Sequence, residues 1–100
     1  MSAYWLTFRI EDDLTSDDRR QELYDERAKL IPTNQDYWVE PTSFIAFKSS
    51  KSIDAIKSLI ETIIDTDKDI VLLVRIGYKS YRLIGNYSDE DVFRMFPELL

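Results

Sequence analysis

Seven consecutive residues, Ile70-Val71-Leu72-Leu73-Val74-Arg75-Ile76, carry one charge among six apolar side chains. Successive side chains of a strand leave on opposite faces, so a run that is apolar at both parities needs cover on both sides. The middle of a sheet provides that cover and an isolated ribbon does not. The run therefore predicts a central strand, and the rest of the chain has to supply its neighbours and its lid.

Residues 3–10 supply the first neighbour. Tyr4, Leu6, Phe8 and Ile10 point one way while Trp5, Thr7 and Arg9 point the other, the pattern of a half-buried strand. A helix is expected next. Thr15 and Asp18 have capping-box spacing with Leu14 just before the cap, and Leu23, Tyr24, Ala28 and Ile31 recur at helical spacing until Pro32 and Asn34. Residues 37–48 are aromatic and β-branched and predict a second strand. Pro41 cannot donate to a ladder, so a bend, bulge or short hairpin is expected there.

Ser52 is placed to cap a second helix whose Ile53, Ile56, Ile60, Ile63 and Ile64 form one apolar stripe, closed by Asp65 to Lys68. After the central strand, Gly77 and Lys79-Ser80 make a turn into a last strand, Tyr81 to Ile84, stopped by Gly85-Asn86. Ser88 and Asp91 are spaced as a further cap before a short helix with Val92, Phe93 and Phe96. This order predicts an α+β domain: an antiparallel sheet, two helices on one face and a short C-terminal helix. Phe8, Ile56 and Ile60 are expected at its core. One hundred residues suffice for one domain, 1–100, and no repeat or linker divides them.

Composition narrows the chemistry. The chain has no cysteine and no histidine, which removes disulfides, thiolate metal sites, thiol nucleophiles and every His-based triad. The formal charge is −6, so the protein as a whole does not attract nucleic acid, though a local basic stripe still can. No apolar run approaches the roughly 20 residues of a membrane span, and the first residues lack a signal-peptide layout. A cytoplasmic protein without membrane contact is expected.

Three groups of residues are candidates for function. Glu11, Asp12, Asp13, Asp17 and Asp18 follow the first strand, where oxygen ligands suit a hard cation such as Mg²⁺. They do not fit an EF-hand loop, and acids at a helix start already complement its dipole. Capping is the expected role, with no metal, no cofactor and no catalytic residue. Arg75, Lys79 and Arg82, edged by Tyr78 and Tyr81, are the candidate nucleic-acid-binding residues, with pairing to the chain's own acids as the alternative. Phosphate-binding glycine motifs are missing. Trp5, with Val71 and Leu73 assigned to the same side, marks a sheet face away from the helices. A second subunit is expected to cover it, with the C-terminal helix as the alternative.

Tyr4-Trp5-Leu6-Thr7-Phe8-Arg9-Ile10, Trp38 to Phe47, Ser52-Ile53-Asp54, Arg82-Leu83-Ile84-Gly85 and the closing Asp91-Val92-Phe93 with Pro97 together resemble the small bacterial proteins labelled SinR-like. Nothing in the chain resembles a helix-turn-helix regulator. The layout is also similar, more distantly, to the dimeric subunit of the CRISPR adaptation complex and to related toxin ribonucleases. That resemblance implies a ferredoxin-like fold, a homodimer and, in some relatives, metal-dependent nuclease activity. In those relatives Tyr-Asp-Ile ends the first strand and an acid- and arginine-rich helix start comes next. Here Phe8, Arg9 and Ile10 stand in the three strand places, while Asp17-Asp18-Arg19-Arg20 resembles the helix start. An arginine in place of the metal-holding aspartate argues against cleavage. The resemblance thus implies a non-catalytic homodimeric interaction module, with nucleic acid as a candidate partner. Two alternatives stand beside it: a divergent metal-dependent nuclease using Asp12 and Asp13, and an acidic immunity or antitoxin-like protein that binds a basic partner.

Overall fold

The computed structural model describes residues 2–25 and 37–99. Its strands are β1 (Ser2–Arg9), β2 (Tyr37–Trp38), β3 (Phe44–Ser49), β4 (Ile70–Arg75) and β5 (Ser80–Gly85). They form one antiparallel sheet in the order β2-β3-β1-β4-β5. Two helices, α1 (Ser16–Asp25) and α2 (Ile53–Ile63), cover one face; a short α3 (Val92–Met95) and a 3₁₀ turn (Pro97–Leu99) follow β5. The fold is α+β and compatible with a ferredoxin-like arrangement. The fifth strand, added beside β4, makes the order differ from the usual four-stranded sheet.

Residues 70–75 of the apolar run lie inside the sheet, between β1 and β5, while Ile76 falls past the strand end and is half-exposed. The register of β4 fixes which side chains face the helices. Leu6 lies between Ile45 and Leu73, and Phe8 lies beside Val71, which in turn pairs with Ile84. Onto this surface α2 lays Ile53, Ile56, Ile60 and Ile63, and α1 lays Leu23. Phe8, Ile56 and Ile60 are all buried, as expected. Each fully buried aliphatic side chain of this kind contributes about 1.5–3 kcal/mol relative to exposure. Tyr4 stacks on Phe47 at 5.6 Å between ring centres, and Phe8 meets Tyr24 edge-on at 5.8 Å.

One assignment is reversed. Val71 and Leu73 do not share the side of Trp5; both are 0% exposed beneath the helices. Because β4 is apolar at both parities, its own composition cannot tell the two faces apart. Pairing does: Trp5 stands opposite Val74, and Thr7 opposite Leu72. Leu72 and Val74 are the β4 residues of the Trp5 face.

The local signals fare unevenly. Residues 37–49 form the hairpin that Pro41 implied, and Ser43 adopts a positive φ of 56° where the chain enters β3. Ser52 caps α2 by accepting from the Ala55 N–H at 3.1 Å. The Thr15–Asp18 box does not form. The Asp13 carboxylate accepts from the Thr15 N–H instead, and the Thr15 hydroxyl is engaged with Asp13 and Arg19. Leu14 is fully exposed rather than packed before the cap. Asp91 precedes α3 without a side-chain cap bond, its carboxylate being taken by Arg94. The helix predicted to reach Ile31 is seen as far as Asp25; Ala28, Ile31, Pro32 and Asn34 lie outside the described residues.

Candidate interaction surface

Alternation that sends Tyr4, Leu6 and Phe8 under the helices sends Ala3, Trp5, Thr7 and Arg9 to the other side of the sheet. Cross-strand pairing carries that side outward through Phe44, Ala46 and Lys48 of β3 to Trp38 of β2, and through Ile70, Leu72 and Val74 of β4 to Tyr81 and Leu83 of β5. At its centre Ala46 stands between Trp5 and Trp38. Its small side chain leaves room for the rings on either side. Trp5 stacks on Phe44 at 5.7 Å, and Trp38 meets Phe44 edge-on at 6.0 Å. Trp38 is 50% exposed, and Trp5, Phe44 and Leu72 are only partly covered.

The C-terminal segment covers one margin of this side. Phe96 packs edge-on against Tyr81 at 4.7 Å, and Val92 borders a hollow of about 320 Å³ with Leu72 and Leu83. The β3, β1 and β2 portion stays open, bordered by a shallow groove of about 300 Å³ between Ala3, Trp38, Ala46 and Ile76. No strand residue of this side is an acid. Its two charges, Arg9 and Lys48, stand toward opposite ends of β1, since Lys48 pairs with Ala3.

The residues singled out for phosphate contact divide. Arg75 and Arg82 share the helix-covered side, as neighbours on a diagonal, because Arg75 pairs with Ser80 and Leu73 with Arg82. Arg82 is engaged by Asp54 of α2: its Nε donates to the carboxylate at 2.8 Å, and the guanidinium holds Asp54 below the usual carboxylate range. Lys79 is exposed in the β4–β5 turn. Arg75 donates to the Ser2 hydroxyl and lies over the Tyr78 ring. Of the three cations, Arg82 alone is paired with a carboxylate among the described residues.

Of the acids after β1, Arg19 holds Asp13, together with Asp69 from the turn before β4. Arg19 Nε donates to Asp69 Oδ2 at 2.8 Å, and Nη1 and Nη2 donate to Asp13 at 3.0 and 3.1 Å. Lys68 adds a further contact to Asp13 at 3.2 Å. Asp69 is 0% exposed and also accepts from the N–H groups of Glu11 and Asp65. Burial alone pushes its carboxyl upward, but the bonds from Arg19, Asp65 and Glu11 outweigh that and hold it below the ordinary value. Asp13 is also held below the ordinary carboxylate range, chiefly by Arg19, whose own proton is correspondingly harder to remove. Asp12 accepts from Ser16, and Asp17 pairs with Arg20. Among the described residues no three acids are placed to share a metal ion.

Comparison with family models, with curated proteins and with solved structures gives no match for this chain. Among the described residues, no helix is long and apolar enough to cross a membrane. Two features escaped the sequence. Phe44 joins the aromatic cluster only because of the hairpin register, and Asp69 joins Arg19 across 50 positions of chain. No local pattern announces either.

Proposed function

We propose that this protein is a non-catalytic interaction module that works as a homodimer, two copies packing together the sheet faces that α1 and α2 leave uncovered. The observation that carries the reading is the Trp5–Phe44–Trp38 cluster left open around Ala46. Large rings beside small alanines are self-complementary: across a two-fold axis the rings of one copy lie over Ala3 and Ala46 of the other. Two twisted sheets packed face to face lie about 10 Å apart, with strands about 30° from parallel, which gives such rings the depth they need. The charges fit as well. The centre is apolar and aromatic, while Arg9 and Lys48 stand at the ends, where an interface is wet. The similarity of the layout to the CRISPR-adaptation dimer supports the same reading. A non-catalytic role is supported by the engagement of Asp13 and Asp69 with Arg19.

Sedimentation equilibrium at micromolar concentration tests the proposal. The expected species has twice the 11.9 kDa mass of one chain, with a buried interface above about 1,000 Å². Trp5→Glu is expected to give a folded monomer, because pairing would bury an unpaired carboxylate. A wild-type protein that sediments only as single chains overturns the reading.

A further inference from the structure

We propose that the end of the sheet where β1, β3 and β4 meet the start of α2 is a binding site for a small phosphate monoester, held by Arg75 and Lys51. Of the six arginines described, five meet a carboxylate: Arg9 with Glu11, Arg19 with Asp13 and Asp69, Arg20 with Asp17, Arg82 with Asp54 and Arg94 with Asp91. Arg75 does not, in a chain with 19 acids and 13 cations. It is only partly exposed, its Nε and Nη2 donate to the Ser2 hydroxyl at 3.0 and 2.7 Å, and its guanidinium lies 3.8 Å over the centre of the Tyr78 ring. A guanidinium held in place by neutral partners keeps its charge available for an incoming anion.

The surroundings match that charge. Arg75 opens on a cavity of about 390 Å³ that it shares with Ser2, Ser50, Lys51, Ser52 and Tyr4, and among the described residues no carboxylate lines it. The Ser2 hydroxyl accepts from Arg75, which leaves its own proton to donate to a ligand. The segment between β3 and α2 is fixed: Tyr4 Oη donates to the Lys51 carbonyl at 2.8 Å, and the Lys51 N–H donates to the buried Ser49 hydroxyl at 3.1 Å. Lys51 is therefore carried on an anchored backbone, and the positive end of α2 adds to the two side-chain cations. A planar fork, an ammonium and several hydroxyl donors suit the three oxygens and near-double charge of a phosphate monoester better than a carboxylate. The volume lies within the range of small-molecule sites, roughly 300–1,000 Å³, and exceeds the need of a bare phosphate.

The experiment is a ¹H–¹⁵N NMR titration of the whole protein with ribose 5-phosphate, inorganic phosphate and unphosphorylated ribose in turn. Saturable shifts centred on Ser50 to Ile53 and Arg75 are expected with the sugar phosphate at millimolar concentration or below. Inorganic phosphate should bind the same residues at least about threefold more weakly, and ribose not at all, since the charge supplies most of the attraction. Arg75→Gln should weaken binding by about tenfold or more. Lys51→Gln, an exposed position, should weaken it several-fold with the amide spectrum otherwise intact. Arg82→Gln should leave the midpoint unchanged. Absence of saturable shifts up to about 20 mM ribose 5-phosphate overturns the site. So does an unchanged midpoint in Lys51→Gln together with Arg75→Gln. Equal midpoints for phosphate and ribose 5-phosphate overturn the assignment to an ester.

Discussion

On one side of the sheet Tyr4, Leu6, Val71 and Leu73 are at most 1% exposed beneath α1 and α2; on the other, Trp38 is half-exposed and Trp5, Phe44 and Leu72 are only partly covered. The same five strands build both surfaces, and both are rich in large apolar groups. What separates them is the cover each receives from its own chain. An α2 stripe of isoleucines, with Leu23 of α1, buries the centre of the first side, while the short C-terminal segment reaches only the β5 margin of the second. A side chain's hydrophobicity therefore says that it needs a neighbour, and the fold decides whether that neighbour comes from the same molecule.

Substitution at adjacent β4 positions separates the two sides most sharply. Leu73→Glu places a carboxylate under α2 and should cost on the order of 5 kcal/mol, enough to leave little folded protein. Leu72→Glu should leave circular dichroism and thermal midpoint near wild type while shifting sedimentation toward single chains. Reversed results would exchange the two faces. A milder change probes the closed side alone. Ile60→Ala should cost about 2–5 kcal/mol in chemical unfolding, whereas a loss below about 0.5 kcal/mol is what a surface position shows and would place the residue outside the core.

Acid makes a smaller and slower distinction. Asp69 has a folded carboxyl held below its ordinary value of 3.8. Its contribution is therefore complete above the unfolded value and is lost as the pH falls through the lower, folded one. Thermal midpoints should be flat from neutral pH to about pH 5 and decline below about pH 4. In Asp69→Asn the midpoint should be lower throughout and the decline shallower. A decline of equal steepness in the variant would show that Asp69 does not anchor α1 to the start of β4.

How much of the molecule was legible depends on how locally each feature is encoded. The alternation of Tyr4 to Ile10 is carried by neighbours two apart and reads off directly, as does the isoleucine stripe of α2 with Ser52 at its cap. Leu72 and Leu73 look alike in the sequence; their opposite fates depend on pairing with Thr7 and Leu6, some 65 positions away. Thr15 carries a sound local signal that a stronger distant one displaces, since Arg19 and Asp13 organise that turn around Asp69. Within the interaction surface Trp5 was visible from alternation, while Phe44 was hidden by the Pro41 hairpin, whose positive φ at Ser43 resets the phase of β3.

The central position of β1 also sets an order of events in the cell. Both of its neighbours, β3 and β4, are later in the chain, so β1 is completed only after residue 75 has followed it. At roughly 5–20 residues per second of synthesis, Tyr4, Leu6 and Phe8 wait several seconds for their final partners. Long-range pairing of this kind also slows spontaneous refolding relative to a helical domain of equal size. During that interval β1 is a nascent segment without its sheet, and chaperone capture or self-association competes with the arrival of β4.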